Sequence, residues 1–350
     1  MRAEDGVGVV TESRRGSAVG GVRAVAHPNI ALVKYWGKRD EGLVLPRVDS
    51  LSLTLDIFPT TTSVCVVPGA VGDVVRLNGV PASGEVLGRV CGFVDLVRGL
   101  AGSSERVVVD SVNTVPTGAG LASSASGFAA LALAAVGAFG LEVDARGLSR
   151  LARRGSGSAS RSVFGGFVVW HAGSGSLVEA DLGSFAEPVV AAEMDPALVV
   201  AVVDGGPKAV SSRVAMRRTV ATSPLYGPWA ASSAVDLVEM RAALVAGDLE
   251  VVGEIAERNA LGMHATMLAA RPGVRYMSPA SLTVLDCVGQ LRRDGVLAYA
   301  TMDAGPNVKV LCRQVDAEQV AKSVREVVGD GAVHIARPGR GAYLLPEDDR

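Results

Sequence analysis

Two lysines stand four residues apart in the stretch AHPNIALVKYWGKRD, residues 26–40, at Lys34 and Lys38. Lysine is rare in this chain, because nearly all of its 34 basic residues are arginine. An ammonium group is a compact point charge, and a bulkier guanidinium does not reproduce its position against a phosphate or carboxylate. We therefore interpret both lysines as candidate cations of a binding or catalytic site. A strand edge with cations reaching into solvent is the alternative interpretation.

A glycine-rich turn that opens a helix is indicated by NTVPTGAGLASSASG, residues 113–127. Such a turn presents backbone N–H groups to an anion, and the dipole of the following helix favours negative charge. The hydroxyls of Ser123 and Ser124 add donors to a phosphate or an oxygen ligand to Mg²⁺. The spacing is neither that of a Walker A loop nor GxGxxG. On these residues alone, a turn before a packing helix of small residues is the alternative.

A serine- and glycine-rich run, RRGSGSASR at residues 153–161, ends at Arg161. Its hydroxyls and bare N–H groups can bind a polar ligand, and its guanidinium can contact a carboxylate or phosphate in a bidentate manner. The strand-like FGGFVVW directly after it favours a folded segment over a flexible surface loop. The run SSR at residues 211–213 repeats this chemistry but is weak evidence alone.

An aspartate, Asp303, follows an apolar run and precedes AGPN, a sharp turn signal. An aspartate in this position commonly caps the turn through the backbone, and this is the alternative interpretation. A carboxylate held at the end of a buried strand can also position a base against a substrate hydroxyl. Asp303 is therefore a candidate catalytic carboxylate.

The elements that must position these residues form an irregular mixture of strands and helices, which predicts an α+β fold with two lobes. Period-two alternation and β-branched runs predict strands over 50–57, 62–67, 74–77, 106–112, 164–171, 198–203, 296–301, 308–312 and 332–336. Helical periodicity predicts helices over 121–136, 143–154, 228–246, 249–270, 281–292 and 317–328. We divide the chain into a flexible tail (1–22), an N-terminal domain (23–190) and a C-terminal domain (191–345).

The composition argues against several classes of function. With 49% hydrophobic residues and a net charge of −2, the chain gives no reason to expect a nucleic-acid or acidic-membrane partner. Four cysteines and four histidines are dispersed without metal-ligand spacing. The first twenty residues lack the apolar core of a signal peptide, and the most apolar run, 127–141, is too short to span a bilayer. We expect a cytoplasmic protein.

Taken in order, the four stretches resemble the mevalonate diphosphate decarboxylase branch of the GHMP kinase superfamily. The superfamily's phosphate-loop pattern, PxxxGLxSSA, is matched by Pro116, Gly120, Leu121, Ser123, Ser124 and Ala125. The run SSRVAMRRTVATS is similar to the decarboxylases' serine–arginine substrate segment. The matches extend from about Ala26 to Leu311. The resemblance implies a two-lobed GHMP-kinase fold, with a ribosomal-protein-S5-domain-2-like N-terminal lobe, a ferredoxin-like C-terminal lobe and the active site in the cleft between them.

The resemblance also implies a reaction: ATP-dependent decarboxylation of mevalonate 5-diphosphate to isopentenyl diphosphate, through phosphorylation of the 3-hydroxyl, with Mg²⁺ accompanying the nucleotide. In that scheme Asp303 matches the catalytic aspartate, Arg161 holds the substrate carboxylate, and Lys34 faces the phosphoryl oxygens. A homodimer is the family expectation. The alternatives are a relative acting on mevalonate 5-phosphate, a mevalonate 3-kinase, and a non-catalytic GHMP-fold ligand-binding protein.

The same resemblance assigns the remaining site residues. Those matching substrate contacts are Asn29, Tyr35, Lys38, Ser156, Ser158, Arg161, Ser212 and Arg213. Those matching the ATP phosphate loop are Pro116, Gly118, Ala119, Gly120, Leu121, Ala122, Ser123 and Ser124, with Ser124 a possible Mg²⁺ ligand. The chain departs from the family pattern at Ser160, where cysteine is usual, at Val214-Ala215, where Ser/Thr-Gly is usual, and at Gly118, where alanine is usual. These changes affect the fine shape of the pocket rather than the reaction class.

Replacement of Lys34 by arginine tests the interpretation of the rare lysines. If the ammonium must sit against phosphate or carboxylate, the Lys34→Arg protein should fold normally but lose its catalytic rate by about ten-fold or more. Steady-state turnover, measured beside the circular dichroism spectrum, checks this expectation. Full activity in the arginine variant would refute it.

Overall fold

The computed structural model describes residues 21–115, 123–206, 208–329 and 333–346. The strands of the N-terminal half are β1 (Val22–Ala26), β2 (Asn29–Val33), β3 (Lys38–Asp40), β4 (Leu45–Pro46), β5 (Ser50–Thr54), β6 (Thr60–Val67), β7 (Val74–Leu77), β8 (Val80–Pro81), β9 (Arg106–Asn113), β10 (Phe167–Trp170) and β11 (Ala186–Pro188). Its helices are α1 (Gly84–Leu100), α2 (Ser123–Ala138), α3 (Ala145–Gly155), α4 (Ala159–Ser162) and α5 (Leu177–Gly183).

The remaining elements follow in the second half of the chain. Its strands are β12 (Pro196–Ala201), β13 (Ala298–Met302), β14 (Val308–Arg313), β15 (Val333–Ala336) and β16 (Tyr343–Leu344). Its helices are α6 (Ser212–Thr222), α7 (Tyr226–Ala246), α8 (Leu249–Leu268), α9 (Pro279–Arg293) and α10 (Ala317–Val328).

A six-stranded sheet in the order β16-β1-β6-β9-β7-β8 forms the outer part of the N-terminal lobe. Helix α2 packs on β1 and β6 of this sheet, and α1 and α3 join the same core, which includes Val64, Phe93 and Phe128. Strands β7 and β8 are connected by a turn at Asn78-Gly79, and both residues have positive φ. The end of the chain returns to this lobe, because β16 pairs with β1.

A second sheet, in the order β11-β10-β5-β2, carries the catalytic-looking segments of the N-terminal lobe. Apolar and polar residues alternate along its strand β5, so that Leu51 and Leu53 enter a core shared with α7 and α8. The third sheet, β13-β14-β12-β15, is antiparallel and belongs to the C-terminal lobe. One face of it joins the same shared core through Leu198 and Leu311, and the other packs on α9 and α10. Helix α8 therefore lies between the two lobes.

The predicted fold class, α+β with two lobes, is confirmed. The helices predicted in the second half are present within a few residues of their predicted ends, and Asp248 caps α8 by accepting from the N–H of Val251. The predicted tail, residues 1–22, lies outside the described residues except for its last two, and Val22 belongs to β1 rather than to a tail. The division at residues 190 and 191 stays a prediction.

Several elements were not predicted, namely β1–β4, β8, β11, β16 and α5, and neither were three further features. Helix α1 lies in a part of the chain for which only strands were predicted, because four glycines interrupt its apolar periodicity and glycine has a low helix propensity. Helix α6 begins at Ser212, within the SSR run, for which no secondary structure was predicted. The serine- and glycine-rich run at residues 153–161 is partly helical, because α4 forms one helical turn that contains Arg161.

Truncation of Leu53 tests the importance of the shared core. Leu53 is fully buried in β5, and Leu53→Ala should lower the free energy of unfolding by about 2–5 kcal/mol, because the cavity cannot fully collapse. Leu282→Ala removes the same atoms from a half-exposed position on α9 and is the matched control, expected to change stability by about 0.5 kcal/mol or less. Urea denaturation measures both values, and equal losses would argue against the shared core.

Candidate active site

A cavity of about 1350 Å³ lies between the lobes. It is lined by the end of β2, by α1, by the segment joining α3 to α4, by the start of α6 and by the turn after β13. Its cations are Lys34, Lys38, Arg89, Arg154, Arg161, Lys208, Arg213 and Arg217. Its carboxylates are Glu41, Glu85, Asp95, Asp204 and Asp303. Because cations outnumber carboxylates, the cavity suits ligands that carry several negative charges.

The structure brings the sequence-predicted site residues together around this cavity. Those that line it are Asn29, Lys34, Tyr35, Lys38, Ser124, Ser156, Ser158, Arg161, Ser212, Arg213 and Asp303. Ser123, the first residue of α2, is exposed and is not among the lining residues. The other predicted phosphate-loop residues, Pro116, Gly118, Ala119, Gly120, Leu121 and Ala122, lie outside the described residues.

The central contact is an ion pair between Lys34 and Asp303. Lys34 directly follows β2, and Asp303 directly follows β13, so each lobe supplies one partner. The Lys34 Nζ lies 2.9 Å from Oδ1 of Asp303 and 2.6 Å from the carbonyl oxygen of Ala31. Only 1% of the Lys34 side chain is exposed, whereas Asp303 keeps 30% exposure and lines the cavity. The carboxylate is therefore fixed by the lysine and still open to a ligand.

The charge states of this pair follow from its surroundings. Burial alone would raise the pKa of Asp303, but the ammonium groups of Lys34, Lys309 and Lys208 outweigh it and lower the pKa to about 2. Burial lowers the pKa of Lys34, although the attraction of Asp303 opposes this shift. At neutral pH Asp303 is a carboxylate and a weak base. Such a group is suited to orient a hydroxyl through an accepted hydrogen bond.

Two further lysines at the site were not among the predicted site residues. The Nζ of Lys309 lies 3.7 Å from Oδ2 of Asp303, and the Nζ of Lys208 donates to the hydroxyl of Ser212 at 3.3 Å. The rarity of lysine, which singled out Lys34 and Lys38, would have identified both. The fifth lysine, Lys322, is exposed on α10, away from the cavity lining.

His264 of α8 was also missed, and no pattern in the sequence marks it. Its Nε2 lies 3.2 Å from the carbonyl oxygen of Asp303, and the residue is 2% exposed. Burial and the nearby ammonium of Lys34 lower the pKa of His264 to about 4. The ring is therefore neutral at pH 7 and donates a hydrogen bond to the Asp303 carbonyl.

Arg161 is a buried cation that only neutral groups hold in place. Its Nη1 donates to the hydroxyl of Ser50 at 2.5 Å, and its Nε donates to Ser52 at 2.9 Å and to Asn29 at 3.3 Å. Within the described ranges, no carboxylate lies within 4.0 Å of this guanidinium. Burial lowers its pKa to about 10, so Arg161 stays protonated at neutral pH. A ligand carboxylate or phosphate would supply an ion-pair partner for it.

The serine run places its hydroxyls beside this cation. The hydroxyl of Ser156 lies 3.2 Å from that of Ser124 and 3.4 Å from that of Ser158. The hydroxyl of Tyr35 is enclosed and finds no hydrogen-bond partner in the described part of the chain. Burial raises the pKa of Tyr35, which therefore stays a donor. A buried donor without a partner is costly, and a ligand oxygen would satisfy it.

Two predicted substrate-binding residues, Lys38 and Arg213, form ion pairs with glutamates at the rim of the cavity. The Nζ of Lys38 lies 2.6 Å from Oε2 of Glu41, and Arg213 lies 3.1 Å from Oε1 of Glu85. Both glutamates are more than half exposed. Exposed ion pairs contribute little stability, so a ligand anion can replace either glutamate at small cost.

The described residues could bind a magnesium ion only as part of a magnesium–nucleotide complex. Among the described residues there is no group of three or more acidic, histidine or cysteine side chains that could hold a metal ion. The hydroxyl of Ser124 is half-buried, and among the described residues it bonds only to another serine hydroxyl. Mg²⁺ commonly keeps phosphate and water ligands and takes few from protein. Ser124 is the described residue that fits as its contact.

The two-lobed α+β fold, with a lysine–aspartate pair in a cationic cleft, is that of the GHMP kinase class. The chain belongs to the diphosphomevalonate decarboxylase family. Residues 26–183 match the model of the diphosphomevalonate decarboxylase-like N-terminal domain, and residues 198–337 match that of the mevalonate 5-diphosphate decarboxylase C-terminal domain.

Similar proteins include enzymes from fungi and bacteria. The diphosphomevalonate decarboxylase of Aspergillus fumigatus is 36% identical over 322 residues, which cover 86% of this chain and 79% of the relative. The mevalonate diphosphate decarboxylase of Staphylococcus aureus has 38% identity and a TM-score of 0.89, with 93% of this chain and 98% of that chain covered. The structure "MDDEF in complex with MVAPP, AMPPCP and Magnesium" has 44% identity and a TM-score of 0.88, with 94% and 99% covered.

The lowered pKa of Asp303 predicts a pH dependence of stability. Because this pKa lies below the ordinary value of 3.8, ionisation of Asp303 stabilises the fold above that pH, and the stabilisation disappears as the pH falls towards 2. Wild type should therefore be more stable than Asp303→Asn at pH 6, and the difference should shrink by pH 3. Urea unfolding at each pH measures the difference, and a gap that stays constant or widens would contradict the assignment.

The matched control for this experiment is Asp110→Asn. Asp110 lies 3.2 Å from Arg76, and both side chains are nearly half exposed. Removal of this exposed carboxylate should change the free energy of unfolding by about 1 kcal/mol or less.

Proposed function

We propose that this protein converts mevalonate 5-diphosphate and ATP into isopentenyl diphosphate, ADP, phosphate and CO₂. The observation that carries the proposal is the coexistence of two different charged groups in one cavity. One is the Lys34–Asp303 pair, which suits phosphorylation of a hydroxyl, and the other is Arg161, which has no carboxylate partner among the described residues. A kinase needs the first, whereas an enzyme that also removes a carboxylate benefits from both.

In the first step Asp303 accepts a hydrogen bond from the 3-hydroxyl and directs its oxygen at the γ-phosphorus of ATP. The bond from O3 to phosphorus forms, the bond from the γ-phosphorus to the bridging oxygen breaks, and the hydroxyl proton passes to Asp303 or to a phosphate oxygen. Lys34 and Lys208 carry positive charge beside the phosphoryl oxygens, where negative charge is redistributed. Mg²⁺ bound to the nucleotide would neutralise further charge there, and Ser124 would contact it.

In the second step the new phosphate leaves C3 with the electron pair of the C–O bond. Positive charge develops at C3, and the electron pair of the C1–C2 bond moves to form the C2=C3 double bond as CO₂ departs. Arg161 fits the carboxylate of the substrate before this step, because its guanidinium is rigidly held and its own partners are neutral. A fixed carboxylate keeps the breaking C–C bond aligned with the leaving group.

The substrate's 5-diphosphate finds the remaining donors. Tyr35, Lys38, Ser156, Ser158, Ser212 and Arg213 line the same cavity. Arg89 was not predicted and lines it as well, and burial together with the nearby Arg213 lowers the pKa of its guanidinium. Two adjacent guanidinium groups and a lysine match the charge of a diphosphate better than that of a monophosphate.

The cofactor assignment, ATP with Mg²⁺, is supported by a similar protein solved with MVAPP, AMPPCP and magnesium. We also propose a cytoplasmic homodimer with domains 23–190 and 191–345. No helix in the described ranges is long and apolar enough to cross a membrane. The composition gives no sign of a nucleic-acid partner.

Incubation of the purified protein with ATP, Mg²⁺ and each of three candidate substrates tests the proposed function. Mevalonate 5-diphosphate should release CO₂ and phosphate in equal amounts, whereas mevalonate 5-phosphate and mevalonate should react far more slowly. Preferred turnover of the monophosphate, or phosphorylation without CO₂, would contradict the proposal in favour of a related activity.

The Asp303→Asn variant is the control for this experiment. It should still bind ATP and mevalonate 5-diphosphate in calorimetry but lose turnover by about 1000-fold or more. An unchanged rate in this variant would refute the role assigned to Asp303.

A further inference from the structure

Helix α8 makes a hydrogen bond to the backbone of each partner of the Lys34–Asp303 ion pair. The Oδ1 of Asn259 accepts from the backbone N–H of Lys34 at 2.8 Å, and Nε2 of His264 donates to the backbone carbonyl of Asp303 at 3.2 Å. Asn259 is 1% exposed and His264 2% exposed. The helix packs against both β2 and β13, which end at the two charged residues. One rigid element therefore contacts both sides of the catalytic pair.

The bond to Lys34 satisfies a backbone group that the strand ladder does not reach. Strand β2 is the outer strand of its sheet, and its register with β5 shifts between Ala31 and Val33. The carbonyl of Ala31 is therefore bonded by side chains, namely by the Nζ of Lys34 and by the hydroxyl of Thr301 at 3.5 Å. The amide of Lys34 is likewise bonded by a side chain, that of Asn259. Irregular backbone of this kind takes its position from its partners.

The orientation of the Asn259 amide is itself fixed. Its Nδ2 donates to the hydroxyl of Ser233 at 3.1 Å and to Oδ2 of Asp236 at 2.8 Å. Asp236 in turn accepts from Nε of Arg258 at 2.8 Å. With both amide protons used on the α7 side, the Asn259 oxygen must face Lys34. The network thus joins α7 and α8 to the catalytic lysine.

We propose that Asn259 and His264 are positioning residues, which set the separation and direction of the Lys34 ammonium and the Asp303 carboxylate for phosphoryl transfer. Neither touches the reacting atoms; each acts through a backbone bond to a residue that does. The catalytic part of this proposal rests on the proposed function, whereas the hydrogen bonds can be tested without it. A displacement of about 1 Å at such a pair is enough to slow a reaction by about 100-fold.

A pair of exchanges tests Asn259. Asn259→Asp alone puts a second carboxylate against Asp236, so the side chain should turn away from Lys34 and kcat should fall by about 10- to 100-fold. KM for both substrates should stay within about three-fold, because the binding residues are untouched. In the double variant Asp236→Asn/Asn259→Asp, donor and acceptor are exchanged in the bond between positions 236 and 259 and in the bond to Ser233, whereas Lys34 and Arg258 still donate as in wild type. The net charge is unchanged. The double variant should recover kcat to within about three-fold of wild type.

His264 is tested by two variants that differ in one donor. His264→Gln keeps an N–H group close to the position of Nε2 and should retain most of kcat, whereas His264→Leu removes the donor and should lose about ten-fold or more. Thr266→Val is the matched control on the same helix. Its hydroxyl is buried and, among the described residues, bonds only within α8, to the carbonyl of Met263 at 2.7 Å, so kcat should not change.

The bond to Lys34 has a readout that needs no turnover. Labelling with ¹⁵N-lysine gives five backbone amide signals, because the chain has five lysines, and the Lys34→Arg variant identifies that of Lys34. In wild type this amide should exchange slowly with D₂O. Asn259→Asp should speed its exchange by about ten-fold or more, and the double exchange should restore the protection.

The outcomes separate the two proposals. Wild type that does not turn over mevalonate 5-diphosphate refutes the proposed function, while loss and recovery of Lys34 amide protection would still support the positioning bonds. An active wild type whose Asn259 and His264 variants keep full kcat refutes the positioning role. So does a double variant that folds but stays as slow as Asn259→Asp. If Asn259→Asp does not fold, the comparison of His264→Leu with His264→Gln decides, and equal rates in those two overturn the proposal.

Discussion

The ion pair between Lys34 and Asp303 is the constraint on which the site depends. Removing both charges from water is costly, and their attraction offsets that cost only if each keeps further partners. The ammonium of Lys34 also donates to the carbonyl of Ala31, and the carboxylate of Asp303 also lies near a second cation, Lys309. Because one partner follows β2 and the other follows β13, the pair forms only when the lobes are docked through α8 and the shared core of β5, α7 and α8. Packing far from the cavity therefore determines whether the catalytic geometry exists.

The same cavity is left with more positive charge than its own carboxylates neutralise. Lys208, Lys309 and Arg161 all lie near Asp303, and burial lowers the pKa of each. Repulsion among these cations destabilises the site when it is empty, and the binding of a polyanionic substrate relieves that repulsion. The enclosed hydroxyl of Tyr35 also has no partner among the described residues. A ligand oxygen would supply the acceptor that this group requires.

The residue types and the rarity of lysine predicted the central residues of the site. They could not predict which residues that are distant in the sequence pack together. Lysine stood out against an arginine-rich background, and this signal pointed to Lys34 directly and to Lys208 and Lys309 in principle. The contact of Lys34 with Asn259 spans 225 residues and that with Asp303 spans 269. Periodicity predicted that α8 is a helix, but it cannot tell which buried polar residues of a helix meet another lobe. Helix α1 was missed for a local reason, since its glycines weakened the pattern.

Two arginines in neighbouring helices differ in the charge of the groups that hold them. Arg153 is fully buried, and Asp181 neutralises its guanidinium. Arg161 is buried as deeply, but serine hydroxyls and an asparagine oxygen hold it. The alternation of β5 explains this, because it directs Leu51 and Leu53 into the core and leaves Ser50 and Ser52 on the opposite face, against α4. A carboxylate at either serine position would neutralise Arg161 and compete with the substrate carboxylate. Neutral donors and acceptors fix the direction of the guanidinium while its charge stays available, as the role proposed for Arg161 requires.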